Sequence, residues 1–146
     1  DDVTTTDLLS QSELFSDLAN ETVAEIARLC REITLAKGEF VFRIGDPSKE
    51  LFILAEGCVD LGFAAVAADE PMGGAIRESG DVFGWGALVG EANYRLINAI
   101  CVRQTRLITV DGLALMNLLE AKPGGFAFLR KLLGIILNRI VSLAAV

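Results

Sequence analysis

The residues whose types and spacing best suit anion binding lie in a glycine-rich segment, residues 80–95. It reads Gly-Asp-Val-Phe-Gly-Trp-Gly-Ala-Leu-Val-Gly-Glu-Ala-Asn-Tyr-Arg. Glycines let a backbone approach an anion closely, and free N–H groups at the start of a helix point towards it. The guanidinium of Arg95 has the geometry to bind two phosphate oxygens at once. The segment therefore predicts an anion site, although small residues around a helix start also occur in many ordinary loops.

The residues that common catalytic chemistry needs are missing from the chain. It has no histidine, which is the commonest general base and transition-metal ligand. Cys30, Cys58 and Cys101 are far apart and form no Cys-x-x-Cys pair, which disfavours metal, iron–sulfur and disulfide frameworks. We predict that the chain is not an enzyme and holds no metal. We expect its cysteines to be small core residues in a reducing compartment, the cytoplasm.

Length and charge indicate one globular domain. The 146 residues, of which 52% are hydrophobic and 23% charged, suffice for a single core. The formal net charge of −7 disfavours binding to nucleic-acid phosphates. The charge is uneven, since residues 1–60 carry 5 basic and 13 acidic side chains and residues 101–146 carry 6 basic and 2 acidic. The basic part is expected to face the chain's own acidic N-terminal helices, or alternatively a partner.

Short strand-like segments separated by glycine turns make up the middle of the chain. They are apolar or alternating runs bounded by Gly, Pro and Asp, at the spacing of an all-β barrel or sandwich. Residues 65–74 combine small residues, acids, a proline and a Gly pair, which predicts a hairpin tip. The predicted strands are residues 33–35, 40–43, 51–55, 58–63, 75–77, 98–102 and 105–110.

Helical patterns flank these strands. Helices are predicted at residues 10–18, 20–31, 112–120 and 126–143. Asn20 is the predicted N-cap of the second helix, and Asp111 that of the third, which ends at Lys-Pro-Gly-Gly, residues 122–125. No segment is long and uncharged enough to span a membrane, and the acidic residues 1–6 do not resemble a signal peptide.

The last predicted helix has two apolar stripes. One has the 4,3,4,3 spacing of a coiled-coil seam and consists of Leu129, Leu133, Ile136, Ile140 and Leu143. The second consists of Phe128, Leu132 and Ile135. Two stripes need two partners, so we predict that one packs on the chain's own barrel and that the seam forms a homodimer. The alternative is a single wide face buried within the monomer.

The order Lys-Gly-Glu, Arg-Ile-Gly-Asp, Leu-Phe-Ile-Leu-Ala-Glu-Gly and Gly-Asp-Val-Phe-Gly resembles the cyclic-nucleotide-binding domain family. The family includes sensor domains of bacterial catabolite-activator-type regulators, protein kinase A regulatory subunits and cyclic-nucleotide-gated channels. The resemblance runs from about Leu14 to Ile140. It implies a mainly β fold, a β jelly roll or double-stranded β-helix with flanking helices. Residues 1–146 would form one domain, with N-terminal helices at 10–31, a β-roll at 32–110 and C-terminal helices at 111–143.

The resemblance also implies a site for a small-molecule effector. In the family, backbone amides of the glycine cassette and one arginine hold a cyclic phosphate. By position, the cradle residues are Gly84, Gly86, Ala87 and Leu88, and the clamp is Arg95. The implied ligand is cyclic AMP, cyclic GMP or another phosphate-bearing small molecule. The alternative for Arg95 is a surface arginine paired with Glu91.

Two residues depart from the family pattern. Trp85 stands where the family has a glutamate that accepts a hydrogen bond from the ribose 2′-hydroxyl, and an indole offers only a donor. Trp85 is therefore interpreted either as a pocket plug or core residue, or as a stacking platform for another ligand. Leu96 replaces a commonly small residue and is expected to narrow the pocket.

Two functions follow from these observations. The first is a regulatory domain that senses a cyclic nucleotide or another small anionic effector. The second is a domain that kept the fold, lost the ligand and acts as an interaction and dimerisation module. No helix-turn-helix pattern follows the last helix, so we expect this chain to make no contact with nucleic acid.

Overall fold

Two four-stranded antiparallel sheets flanked by helices form the protein. The computed structural model describes residues 4–89 and 93–144, the last five of these as helical backbone. The helices are α1 Thr5–Gln11, α2 Asn20–Leu29, α3 Gly112–Glu120 and α4 Gly125–Ala144. The strands are β1 Cys30–Leu35, β2 Phe40–Phe42, β3 Glu50–Glu56, β4 Val59–Gly62, β5 Gly74–Ile76, β6 Val82–Phe83, β7 Asn98–Cys101 and β8 Thr105–Asp111. The predicted mainly β, jelly-roll-type fold with flanking helices is confirmed.

Apart from the paired strands β4 and β5, strands that follow one another in the chain lie in different sheets. One sheet has the order β1-β8-β3-β6 and the other β2-β7-β4-β5. In the first sheet β8 pairs along its length with both β1 and β3, which makes it a central strand. The predicted strands are confirmed to within a few residues at each end. Sequence reasoning missed β6, because two residues are too short to show a strand period.

The alternation of side chains along β3 divides the core into two clusters. Leu51 and Ile53 lie in a cluster shared with the helices, which we call the helix-side core. Phe52 and Leu54 lie in a second cluster between the two sheets, the inter-sheet core. Since successive residues of a strand point to opposite faces, a strand buried on both faces reads as a continuous apolar run. This accounts for the run Leu-Phe-Ile-Leu at residues 51–54.

The first helix differs from its prediction. A helix was predicted at residues 10–18, whereas α1 spans Thr5–Gln11 and turns follow it. The side chain of Thr4 caps α1. The chain leaves the helix at Ser12, whose buried hydroxyl donates a hydrogen bond of 2.8 Å to the carbonyl of Gly80. This long-range bond holds residue 12 outside the helix, so the prediction was wrong.

The remaining helices agree more closely with the sequence. α2 begins after Ala19 as N-cap, one residue before the predicted cap Asn20. It ends at Leu29, because the chain enters β1 at Cys30. The predicted cap of α3 is confirmed, since the Asp111 carboxylate accepts a hydrogen bond of 2.9 Å from a backbone N–H in the first turn.

Charged pairs join the basic C-terminal part to the acidic N-terminal region. Lys122 Nζ lies 2.7 Å from Glu25 on α2, and Lys131 Nζ lies 2.8 Å from Asp17. Lys122 thus pairs with an N-terminal helix as predicted, whereas Lys131 pairs with the turns between α1 and α2. Of the described helices, none has the length and apolar character needed to cross a membrane.

Candidate functional site

The glycine cassette begins directly after β6. Gly84 has a φ of 81°, in the left-handed region, and caps a short 3₁₀ helix at Trp85–Leu88. A β-carbon at Gly84 would lie 3.1 Å from Arg95 Nη1 and 3.2 Å from the carbonyl oxygen of Glu50. Glycine is therefore required here both by backbone conformation and by the close approach of Arg95. The structure brings these two predicted site residues together.

Arg95 is a buried cation with incomplete hydrogen bonding. It is 7% exposed, and its Nη2 donates a hydrogen bond of 2.6 Å to the Glu50 carbonyl. Its guanidinium carbon lies 4.2 Å from the centroid of the Phe42 ring, at cation–π distance. Its Nε is buried and has no partner among the described residues. The alternative partner Glu91 lies outside those residues.

Burial and nearby carboxylates act on Arg95 in opposite directions. Desolvation lowers the pKa of Arg95 from its ordinary value, while the charges of Glu50 and Asp46 raise it. Burial disfavours the charged form of any base, and a neighbouring negative charge favours it. A bound anion would act in the same direction as the two carboxylates.

Backbone pairing fixes the position of Arg95. Its N–H donates to the carbonyl of Asp46 at 2.8 Å, and its carbonyl accepts from the N–H of Gly45 at 2.8 Å. An isolated β-bridge joins Pro47 to Tyr94 beside this pair. The loop after β2 and the segment before β7 thus form a short antiparallel pair that holds the guanidinium at the end of the inter-sheet core.

A cavity of about 310 Å³ lies beside the guanidinium. Its lining combines two cations, two carboxylates, aromatic rings and aliphatic side chains. The described residues that line it are Val41, Phe42, Asp46, Pro47, Lys49, Glu50, Phe52 and Arg95. Sequence reasoning missed Asp46 and Glu50 as site residues. The sequence signal that could have indicated Asp46 is the Gly-Asp pair in the turn before β3. In the sequence analysis that pair served only as evidence for the fold.

Trp85 lies on the other side of the cassette from this cavity. Its indole is half-buried and packs against the helix-side core, and its Nε1 is buried without a partner among the described residues. Trp85 does not belong to the described lining of the Arg95 cavity. This placement favours the interpretation of Trp85 as a core residue over that of a stacking platform.

The other predicted cassette residues divide between core and solvent. Ala87 and Leu88 are buried, and Leu88 lies in the helix-side core. The carbonyl of Gly86 accepts a hydrogen bond of 3.1 Å from Asn93 Nδ2. Leu96 is 83% exposed and does not belong to the described lining of the Arg95 cavity. Its side chain therefore points to solvent and does not narrow that cavity.

The cassette also contacts α3 through main-chain atoms. A β-carbon at Gly112, the first residue of α3, would lie 2.1 Å from the carbonyl oxygen of Ala87. Such a distance is well inside van der Waals contact, so no larger residue fits here without a shift. The cassette helix and the start of α3 are therefore in direct main-chain contact.

The outer face of α4 differs from the predicted seam. Leu129 and Ile136 pack partly against the helix-side core, with Phe128, Leu132 and Ile135 of the other stripe. Leu133 alone of the described seam side chains is highly exposed, at 65%. The side chains of Ile140 and Leu143 lie outside the described ones. The exposed apolar residues of α4, which we call the outer α4 face, are Phe126, Leu133 and Leu137.

Metal chemistry finds no support in the described part of the chain. No group of three or more histidine, cysteine, aspartate or glutamate side chains there is arranged to hold a metal ion. The described residues offer a cation, acceptors and apolar surface around one cavity. That set suits the binding of a small anion.

Comparison with known proteins agrees with this chemistry. The family model of the cyclic nucleotide-binding domain matches residues 32–122. A putative potassium channel protein of Rhodopseudomonas palustris is 31% identical over 117 residues, which are 80% of this chain and 27% of that protein. The chain thus spans about a quarter of the length of this relative.

Solved structures share the fold. A putative cyclic nucleotide-binding protein from Geobacter metallireducens superposes with a TM-score of 0.72 and 18% identity, over 97% of this chain and 99% of that chain. The regulatory domain of Toxoplasma gondii PKA with cAMP gives a TM-score of 0.64 and 22% identity, over 78% of this chain and 42% of that chain. Because the family model covers more than half of its residues, this chain belongs to the cyclic nucleotide-binding domain family.

Proposed function

We propose that this domain is a regulatory sensor that binds a cyclic nucleotide, or another small phosphate-bearing anion, through Arg95. The observation that supports it is the buried guanidinium beside a cavity, with a buried Nε that has no partner among the described residues. A buried charge without its full set of partners is destabilising by several kcal/mol. An anion at this position would complete its hydrogen bonding.

The dimensions and lining of the cavity suit a small molecule. Its volume of about 310 Å³ lies at the lower end of the range of ligand pockets. The rings of Phe42 and Phe52 give apolar surface, and the charged groups give orientation. No hydroxyl, thiol or imidazole group occurs among the described lining residues. The role we propose for this lining is the binding of an effector.

Family membership supports the same ligand class. The Toxoplasma gondii relative was solved with cAMP, and a domain of the same family and fold is suited to a related effector. We place this sensor in the cytoplasm, because its cysteines are free thiols in the structure and thiols stay reduced there.

Calorimetric titration tests the proposal. Wild-type protein is titrated with cyclic AMP, cyclic GMP and inorganic phosphate, and binding is compared with that of Arg95→Ala and of Arg103→Ala, whose arginine is exposed in the β7–β8 turn. We expect Arg95→Ala to weaken binding about ten- to a hundredfold, since it removes a charge-assisted contact. Arg103→Ala should bind like the wild type. Unchanged affinity in a folded Arg95→Ala variant, or no binding by the wild type, contradicts the proposal.

A second function is favoured by the outer α4 face. Phe126, Leu133 and Leu137 are 75%, 65% and 59% exposed, and they recur at intervals of seven and four residues along one side of the helix. In this alternative the domain acts as a dimerisation module through α4 and binds no effector. The packing of Trp85 against the helix-side core agrees with this alternative, because the tryptophan then stabilises the fold and does not contact a ligand.

A further inference from the structure

The cavity beside Arg95 presents hydrogen-bond acceptors as well as a cation. Asp46 Oδ2 accepts a hydrogen bond of 3.0 Å from the N–H of Arg43, which leaves Oδ1 without a partner among the described residues. Glu50 Oε2 accepts hydrogen bonds from Arg31 Nη2 at 2.9 Å and Thr109 Oγ1 at 2.5 Å. Glu50 Oε1 has no partner among the described residues. Each carboxylate is thus held through one oxygen, and its other oxygen has no partner among the described residues.

The charges of the lining balance. Lys49 and Arg95 are cations, and Asp46 and Glu50 are anions. Both carboxylates are close enough to Arg95 to influence its protonation. A ligand that approaches Arg95 therefore also approaches two negative charges. A second negative charge on the ligand is repelled, whereas a hydroxyl or ammonium group finds an acceptor.

We infer that Asp46 and Glu50 determine specificity, by selecting a singly charged anion that also carries a hydrogen-bond donor. This inference rests on the proposed function, since the anionic end of the ligand contacts Arg95. The donor contacts the open oxygen of Asp46 or Glu50. A phosphate diester with a nearby sugar hydroxyl has this chemistry. A phosphate monoester does not, because it carries a charge of about −1.5 to −2 at pH 7.

The test compares ligands that differ by one group. Wild-type protein is titrated with cyclic AMP and cyclic GMP, with the 2′-deoxy form of each, and with the matching nucleoside 5′-monophosphates. The 2′-hydroxyl is the free sugar hydroxyl of a 3′,5′-cyclic nucleotide, so its loss removes the donor alone. We expect the deoxy forms and the monophosphates to bind about ten- to a hundredfold more weakly than the parent compound.

The same titrations are repeated with Asp46→Asn, Glu50→Gln and the double variant. In each variant the amide oxygen takes over the hydrogen bonds that one carboxylate oxygen accepts within the protein. The amide NH₂ group, a donor, then stands where the other carboxylate oxygen offered an acceptor. We expect the penalty for the deoxy forms and for the monophosphates to fall to about threefold or less in the double variant. Asp69→Asn, at a fully exposed carboxylate of the β4–β5 connection, is the matched control and should keep the wild-type penalties.

The outcomes separate the inference from the function on which it rests. Binding that depends on Arg95 but does not distinguish the deoxy forms or the monophosphates overturns the inference and leaves the proposed function standing. Discrimination that persists unchanged in folded single and double variants also overturns it. No binding of any compound to the wild type overturns both. Circular dichroism of each variant establishes that it is folded.

Discussion

Trp85 and Arg95 show how two residues of one cassette acquire different environments. The indole packs against the helix-side core, whereas the guanidinium lies beside the cavity at the end of the inter-sheet core. Gly84, with its left-handed φ of 81°, lies directly before Trp85 at the start of the 3₁₀ helix. The chemistry of the cassette therefore depends on which core each side chain joins.

Replacement of Trp85 by glutamate should destabilise the protein. Sequence reasoning predicts that Trp85→Glu restores an acceptor and raises affinity for cyclic AMP. In the structure the new carboxylate would meet apolar side chains of the helix-side core, so we expect the free energy of unfolding to fall by about 2–4 kcal/mol. Trp85→Phe, which keeps an apolar ring and removes the unpartnered N–H, should cost about 1–2 kcal/mol. Urea denaturation measures both variants.

Wild-type stability together with tighter cyclic AMP binding in Trp85→Glu would contradict this expectation. That result would mean that residue 85 reaches the ligand after all. The Phe variant distinguishes loss of volume from introduction of charge, because it shortens the side chain without adding a charge.

The thiol of Cys30 should react slowly. Burial raises the pKa of Cys30 from 9.0 to about 11, and its Sγ donates a hydrogen bond of 3.3 Å to the carbonyl of Ile26. Because the thiolate is the nucleophile, we expect alkylation of Cys30 by iodoacetamide at pH 8 to be about a hundredfold slower in the folded than in the unfolded protein. Mass spectrometry of the alkylated peptide measures the rate.

The same pKa shift has a consequence for stability. A group whose pKa is raised in the folded state contributes its stability fully below the unfolded pKa and loses it as the pH rises. The contribution of Cys30 should therefore decline between about pH 9 and pH 11. Equal alkylation rates in folded and unfolded protein at pH 8 would show that the thiol is accessible and has an ordinary pKa.

At the scale of elements, α4 has one side that packs against the core and one side that faces solvent. Its inner side packs Phe128 and Leu132 into the helix-side core, at 2% and 6% exposure. Its outer face leaves Leu133 largely in contact with solvent. Neighbouring residues of one helix thus face the core and the exterior, as expected for about 100° of rotation per residue.

This division gives a matched pair of substitutions for the proposed homodimer. Leu133→Asp should shift the protein towards monomer in analytical ultracentrifugation at micromolar concentration, with little change in stability, because it alters only the outer α4 face. Leu132→Asp should instead lower the free energy of unfolding by about 3 kcal/mol or more, since it buries a charge in the core. A wild type that already sediments as a monomer contradicts the dimer.

Strands and helices differed in how well the sequence predicted them. Strands β1 to β5, β7 and β8 were predictable, because turns rich in Gly, Pro and Asp bound apolar runs whose pattern is local. The start of α3 was predictable from Asp111, a strong local cap. The end of α1 was not, since it depends on the bond from Ser12 to Gly80, which are 68 residues apart in the chain. A contact of that range has no signature in a single sequence.

At the scale of the whole molecule, only part of the site was predictable, because some of its residues are brought together by long-range contacts. The pairing of Gly84 with Arg95 followed from the resemblance, and their proximity in the structure agrees with it. The acceptors Asp46 and Glu50 precede the cassette by more than thirty residues, and the sheet topology alone brings them to Arg95. The outward direction of Leu96 depends on the same backbone pairing that directs Arg95 inward, because successive residues of an extended segment face opposite sides.

The contact between Gly112 and Ala87 couples the cassette mechanically to α3. With no side chain between the two backbones, there is no compressible layer that could absorb a displacement. A displacement of the cassette helix towards α3 would act directly on the start of that helix, and α4 follows α3 after a turn of only four residues. Main-chain contact at Gly112 is therefore a rigid coupling between the cassette helix and the start of α3.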